Sequence, residues 1–171
     1  IVIDTNGNLI SQYDKIHMFD VILSNNESYI ESNTFTAGNK LKTFKLLDCL
    51  IGHSICYDLR FPKLYRALAK KGVKIIVIPS AFTYTTGRAH WHTLVRSRAI
   101  ENGVYIVAPN QWGVNSEKRS TYGHSMVVGP WGDIIVEAID GESILNCEID
   151  YTDVEKYQQS IPVLKHDVDL I

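Results

Sequence analysis

Six consecutive residues, Val73-Lys74-Ile75-Ile76-Val77-Ile78, are β-branched except for one lysine. A run of that kind suits a strand covered by protein on both faces. Such a strand needs helices to cover it, and the sequence supplies one on each side. Before it, Pro62 opens a segment in which Leu64, Tyr65, Leu68 and Ala69 recur at helical spacing, and Gly72 marks the stop. After it, Arg88 to Asn102 reads as a second helix with Trp91, Leu94, Val95 and Ile100 as its inner stripe, closed by Gly103. Leu50 to Cys56 and Tyr105 to Ala108 are strand-like. The order is β-α-β-α-β, which demands parallel strands joined by crossovers.

The flanks follow other rules. Asn6-Gly7 between the apolar runs Ile1 to Asp4 and Leu9 to Tyr13 predicts a hairpin. Asp20 to Lys40, rich in Asn and Ser, reads as a long functional loop. Beyond Gln111, Ser125 to Val128, Ile134 to Val136 and Ser143 to Ile149 predict three antiparallel strands, with a turn at Pro130-Trp131-Gly132-Asp133. Asp153 to Gln159 predicts a short polar helix and the tail from Ile161 an irregular segment. No linker or repeat divides residues 1–171, so one mixed α/β domain is expected. Residue 1 is Ile, inside an extended apolar segment, and the amino terminus is read as a cut within a hairpin strand.

Composition limits the partners. A 45% apolar content supplies a core, and 17 basic against 19 acidic residues leave a charge of −2, with no field to draw nucleic acid or an anionic membrane. A small molecule or a protein is the expected partner. Cys49, Cys56 and Cys147 are too few and too scattered for a disulfide framework and suit a reducing compartment, with the cytoplasm as default. No apolar run is long enough to span a bilayer.

Cys56 stands where the first buried strand ends and a helix begins. That turn projects a side chain from the carboxyl edge of the sheet, where flanking amides can face an oxyanion and a helix start lowers a thiol pKa. A small buried hydrophobe is an equally weighted reading of the same placement. Lys15, between apolar neighbours after the hairpin, can stabilise an oxyanion, although a solvated strand-end lysine is commoner. Metal spacing is lacking: His90 and His92 lie about 200° apart around a helix, and His17, His53, His124 and His166 have no Cys or His at ligand spacing. No metal or cofactor is expected, since no phosphate loop or dinucleotide fingerprint occurs. A Cys-His-Asn reading of Cys56, His124 and Asn110 leaves Lys15 without a role.

Several motifs in one order extend the argument: Tyr13-Asp14-Lys15-Ile16-His17, Ile55-Cys56-Tyr57-Asp58-Leu59-Arg60-Phe61-Pro62, Pro79-Ser80-Ala81-Phe82, His90-Trp91 and Arg98-Ala99-Ile100-Glu101-Asn102. Together they resemble the nitrilase superfamily of carbon–nitrogen hydrolases along the whole chain. The resemblance implies a four-layer α-β-β-α sandwich with mixed sheets, here lacking its first strands and helices, usually paired across a homodimer interface. It also implies a Glu-Lys-Cys triad in which Cys56 attacks an amide carbonyl and Lys15 stabilises the oxyanion. The triad glutamate lies well before the lysine in the family, whereas only Asp4 and Asp14 precede Lys15 here, neither in a matching motif. Glu31 matches a further glutamate beside the lysine and cysteine. By the same motifs Tyr57, Ser80, Ala81 and Phe82 are expected at the substrate.

The segment Asn115 to Met126, followed by Pro130-Trp131-Gly132, resembles the Nit-type amidases and leans toward those acting on deaminated glutathione, with omega-amidases as neighbours. Their 2-oxo-acid amides require a cation for the substrate carboxylate. Arg60, Arg88 and Arg119 are the candidates, although ion pairs with Asp58 for Arg60 and with Glu101 for Arg98 are the simpler expectation. A catalytically dead binding module is the non-enzyme alternative. Two positions depart from the pattern, Lys63 and His92, each where glutamate is frequent.

Overall fold

A computed structural model describes residues 1–23, 28–117 and 119–168. The expected amino-terminal hairpin is formed by β1 (Val2–Ile3) and β2 (Leu9–Ser11), paired antiparallel. A second hairpin, β3 (Asp20–Ile22) with β4 (Ser28–Ile30), lies inside the segment predicted to be loop, followed by a 3₁₀ turn over Glu31–Asn33. The alternation of Val21 and Tyr29 with exposed neighbours is too short to register as a period. Residues 24–27 of that predicted loop lie outside the described residues.

The centre is a six-stranded mixed sheet. β5 (Thr43–Leu46) runs antiparallel to β6 (Cys49–His53), a 3₁₀ turn over Cys56–Arg60 leads into α1 (Pro62–Lys70), and β7 (Ile75–Val77) then lies parallel to β6. α2 (Tyr84–Asn102) connects to β8 (Tyr105–Ala108), which is parallel to β7. β9 (Trp112–Ser116) and β10 (Arg119–Tyr122) form a separate hairpin, while β11 (Met126–Val128) and β12 (Ile134–Glu137) complete the sheet antiparallel to β8. The spatial order is β12-β11-β8-β7-β6-β5. α3 (Asp153–Ser160) and the short α4 (Val163–His166) close the chain.

Strand alternation decides which side is the core. Ile76, Ile78, Ile106, Ala108, Met126 and Val128 are buried against Leu64, Tyr65 and Leu68 of α1 and Trp91, Val95 and Ala99 of α2. Ile75, Val77 and Val107 point the other way and are half-buried. This sheet and its helical layer make up the α-β half of the expected sandwich.

Four details differ from expectation. α2 begins at Tyr84 because the Thr83 hydroxyl oxygen caps it, accepting from the Thr86 amide at 3.3 Å. Its inner stripe includes Arg98 and Asn102, whereas Ile100 is half-exposed. Arg98 reaches that position because its Nε donates to the Leu59 carbonyl at 2.9 Å and its guanidinium meets Glu101 at 2.8 Å, the ion pair expected from their spacing. Ser143 to Ile149 forms no strand; Ile144 is 90% exposed, and β12 remains the sheet edge. The unpredicted β9–β10 hairpin exposes Trp112 and Val114, so it carries no apolar alternation to read.

Candidate active site

Two segments distant in sequence meet at Asp58, a carboxylate with no exposed surface. Its Oδ1 accepts from the His17 amide at 3.0 Å and contacts His17 Nδ1 at 2.7 Å, while its Oδ2 accepts from the Tyr13 hydroxyl at 2.7 Å and the Ile55 amide at 2.9 Å. The His17 ring also lies flat on Phe61, 3.6 Å between centroids. Residues on both sides of Lys15 are thereby fastened to residues on both sides of Cys56. Gly38 holds the segment from behind: its amide donates to the Lys15 carbonyl at 2.8 Å, and a Cβ there would come within 2.2 Å of the Asp14 carbonyl oxygen.

The expected Arg60–Asp58 pair does not form, because both oxygens of Asp58 are already committed. Arg60 instead lies 5.4 Å above the Phe82 ring and within 3.3 Å of His90 Nδ1.

Lys15 Nζ donates to Glu31 Oε2, and the same oxygen accepts the Phe19 amide at 2.6 Å. The lysine side chain is only 10% exposed, so the ion pair orders a charge that seldom survives burial alone.

Cys56 occupies the sharp turn predicted for it. The strand ends at His53, and Cys56 itself takes a left-handed conformation at φ 47°, anchored by its amide donating to the Pro79 carbonyl at 3.0 Å. Burial pushes the Cys56 thiol up, against the Ala81 and Tyr57 amides and Lys15, which pull it down. The direction is opposite to the lowering expected from a helix start: a short 3₁₀ turn stands here, and desolvation outweighs its amides. A thiol in this setting needs a base to deprotonate it, with donors already facing the sulfur.

Lys15, Glu31 and Cys56 open on one cleft of about 880 Å³. Tyr57, Arg60, Ser80, Ala81, Phe82 and Arg119 line it as well, so the same cavity gathers these nine positions. Arg88, the third arginine considered, is not among its lining residues, and neither are Asp4 and Asp14. Arg119 lies 5.7 Å above the Tyr29 ring.

Sequence reasoning missed the aromatic wall, where Phe19 packs against Tyr29 and Tyr57 at 5.2 and 5.0 Å. It also missed the structural use of Asn110. Asn110 Oδ1 accepts the Phe82 amide at 3.0 Å, and its Nδ2 donates to the Gly123 carbonyl at 2.6 Å, which fixes the Ser80 to Phe82 stretch beside the thiol. An Asn right after a buried strand and a proline was the available signal.

Among the described residues no helix is long and apolar enough to cross a membrane. They do contain a grouping that local spacing hid: His92, His124 and Glu137 converge, although no metal site was expected.

A family model for carbon-nitrogen hydrolase matches residues 1–159. A deaminated glutathione amidase from Synechocystis is 40% identical over 169 residues, covering 98% of this chain and 62% of the relative. An omega-amidase from Saccharomyces cerevisiae is 40% identical over 165 residues, covering 96% of this chain and 57% of the relative. The chain thus spans about three fifths of the length of these curated relatives. Among solved structures, the Caenorhabditis elegans NitFhit protein superposes with a TM-score of 0.90 at 40% identity, covering 96% of this chain and 40% of that one.

Proposed function

The chain belongs to the carbon–nitrogen hydrolase family, and from that premise we propose that the protein hydrolyses the amide bond of a small 2-oxo acid, of the deaminated glutathione type, through a cysteine thioester. The observation that carries the proposal is the convergence of Cys56, Lys15 and Glu31 on one cleft that also receives Arg60 and Arg119.

The Cys56 sulfur, losing its proton to a general base, bonds to the amide carbon, and the carbonyl electron pair moves onto oxygen. Lys15 Nζ and the amides at Tyr57 and Ala81 provide positive charge and donors for that oxyanion. Collapse breaks the C–N bond as the nitrogen takes the proton, and the amine leaves. Water then adds to the thioester, the C–S bond breaks, and the acid is released with the thiol regenerated.

The base is the glutamate that the family resemblance places ahead of Lys15. Glu31 is held by Lys15 and the Phe19 amide, so its role is to position the lysine and the incoming water. Arg60 and Arg119 are the cations for the substrate carboxylates. A homodimer is the expected assembly, by resemblance.

An omega-amidase reading differs only in the leaving group: ammonia from a terminal amide instead of a peptide amine. The 40% identity to both kinds of relative keeps both substrates in the test. The full-length protein is assayed for 2-oxo acid release from deaminated glutathione and from 2-oxoglutaramate. Release from the first at the higher kcat/KM, abolished in Cys56→Ala, supports the proposal. Preference for the second assigns the omega-amidase reading, and no release from any short amide by the intact protein supports the binding module.

A further inference from the structure

Away from the catalytic cleft, three potential ligands arrive from three separate elements. His92 lies in α2, His124 follows β10, and Glu137 ends β12. His92 Nε2 lies 2.7 Å and His124 Nδ1 2.6 Å from the same atom, Glu137 Oε1. The three ligand atoms are all within 4.8 Å of one another. We propose that His92, His124 and Glu137 bind a divalent first-row transition ion, a site distinct from the amidase machinery.

The donor set selects the ion class. Two imidazole nitrogens with one carboxylate oxygen suit zinc, cobalt or nickel, whereas magnesium and calcium take oxygen ligands. Both rings aim a nitrogen at one point, and the fold holds His124 there independently of Glu137. The His124 carbonyl accepts the Trp91 indole N–H at 2.8 Å, and its ring stacks on Tyr122 at 4.2 Å and 21°.

Binding replaces the two N–H···O contacts: each imidazole turns a lone pair to the ion and carries its proton on the other nitrogen. The ligand atoms then open to about 3.3 Å, the spacing of a tetrahedral site with bonds near 2.0 Å. Side chains 34%, 19% and 22% exposed have the freedom to make that adjustment. They also leave the remaining coordination position to water. A recess of about 230 Å³, with Trp112 and Glu142 on its walls, borders His124. The ion would fasten α2 to the β12 edge, next to the Ser125–Asn110 hydrogen bonds that back the catalytic cleft.

Tag-free, EDTA-treated full-length protein is titrated with Zn²⁺ by calorimetry, and with Co²⁺ in the visible range. One zinc per chain is expected, together with cobalt d–d bands and no competition from Mg²⁺. His92→Ala and His124→Ala should each weaken zinc by at least about tenfold, the scale on which coordination-sphere changes act. Glu137→Gln keeps an acceptor for both imidazoles but loses the charge, so it should weaken zinc without altering the circular dichroism spectrum. If the three residues form only a hydrogen-bond network, zinc uptake is absent or unchanged in His92→Ala and Glu137→Gln. Zinc lost only with Cys147→Ser would assign it to that exposed thiol. Either result overturns the proposal.

Discussion

Replacing Asp58 by Asn tests whether one buried carboxylate holds Cys56 and Lys15 in register. The side chain keeps its size and loses its charge and one acceptor. Its amide nitrogen settles toward Tyr13, whose hydroxyl can turn to accept, and this leaves the Ile55 amide, now 2.9 Å from Oδ2, facing an NH₂ group. An orphaned buried N–H costs about 1–3 kcal/mol, and each contact from His17 falls from a charge-assisted to a neutral hydrogen bond, about 1 kcal/mol apiece. The expected destabilisation is therefore about 3–5 kcal/mol, a large part of the stability of an ordinary domain. Tyr13→Phe, which removes one donor and leaves the other three, should cost only about 1.5–3 kcal/mol.

Urea unfolding of the full-length protein reads both variants, with the buried Trp91 contributing to the fluorescence change. Residual folded Asp58→Asn should also show a lower kcat, since the Lys15 segment has lost its fastening to the Cys56 turn. A loss below about 1 kcal/mol for Asp58→Asn, or a cost equal to that of Tyr13→Phe, would refute the reasoning.

Three further outcomes follow from the same geometry. Because the Cys56 thiol constant is raised, the group stays protonated through neutral pH, and with the general base removed its alkylation by iodoacetamide should climb only above the ordinary thiol range; a rise within the ordinary thiol range would contradict this. Lys15→Met removes the oxyanion's cation and should lower kcat by about 10²- to 10³-fold with little change in KM; an equal change in both would place the lysine in substrate binding instead. Gly87→Ala should lower the melting temperature although alanine favours helices, because a Cβ there lies 2.3 Å from Tyr122 Cβ; a neutral or raised temperature in a thermal melt would show that the β10 contact gives way.

The parallel centre was legible because β-branched runs and helical spacing are local signals, and Ile75 to Val77 and Tyr105 to Ala108 emerge where they were read. The motif positions Lys15, Glu31, Cys56, Tyr57, Arg60, Ser80, Ala81, Phe82 and Arg119 line one cleft, whereas Arg88 does not. What resisted reading was non-local. Asp58 was assigned to Arg60, two residues away, while its partners Tyr13 and His17 lie 45 and 41 positions back. The grouping of His92, His124 and Glu137 spans 45 positions and has no period. The β9–β10 hairpin exposes its apolar residues, so it imitates a loop. The direction of the Cys56 shift depends on desolvation, which no spacing encodes.

Arg119 reaches the cleft on β10, an arm outside the main sheet held to the segment before α2 by a bridge between Thr121 and Thr83 and by the Tyr122 amide donating to the Phe82 carbonyl, 3.0 Å away. Cys56 and Lys15 are mounted elsewhere, on the turn and segment that Asp58 clamps. Under the proposed function one of the two carboxylate cations, Arg119, thus sits on a part attached separately from the turn that bears Cys56 and Arg60. On that reading, a change in the length or charge of the arm alters which acid is accepted without touching the turn that bears Cys56.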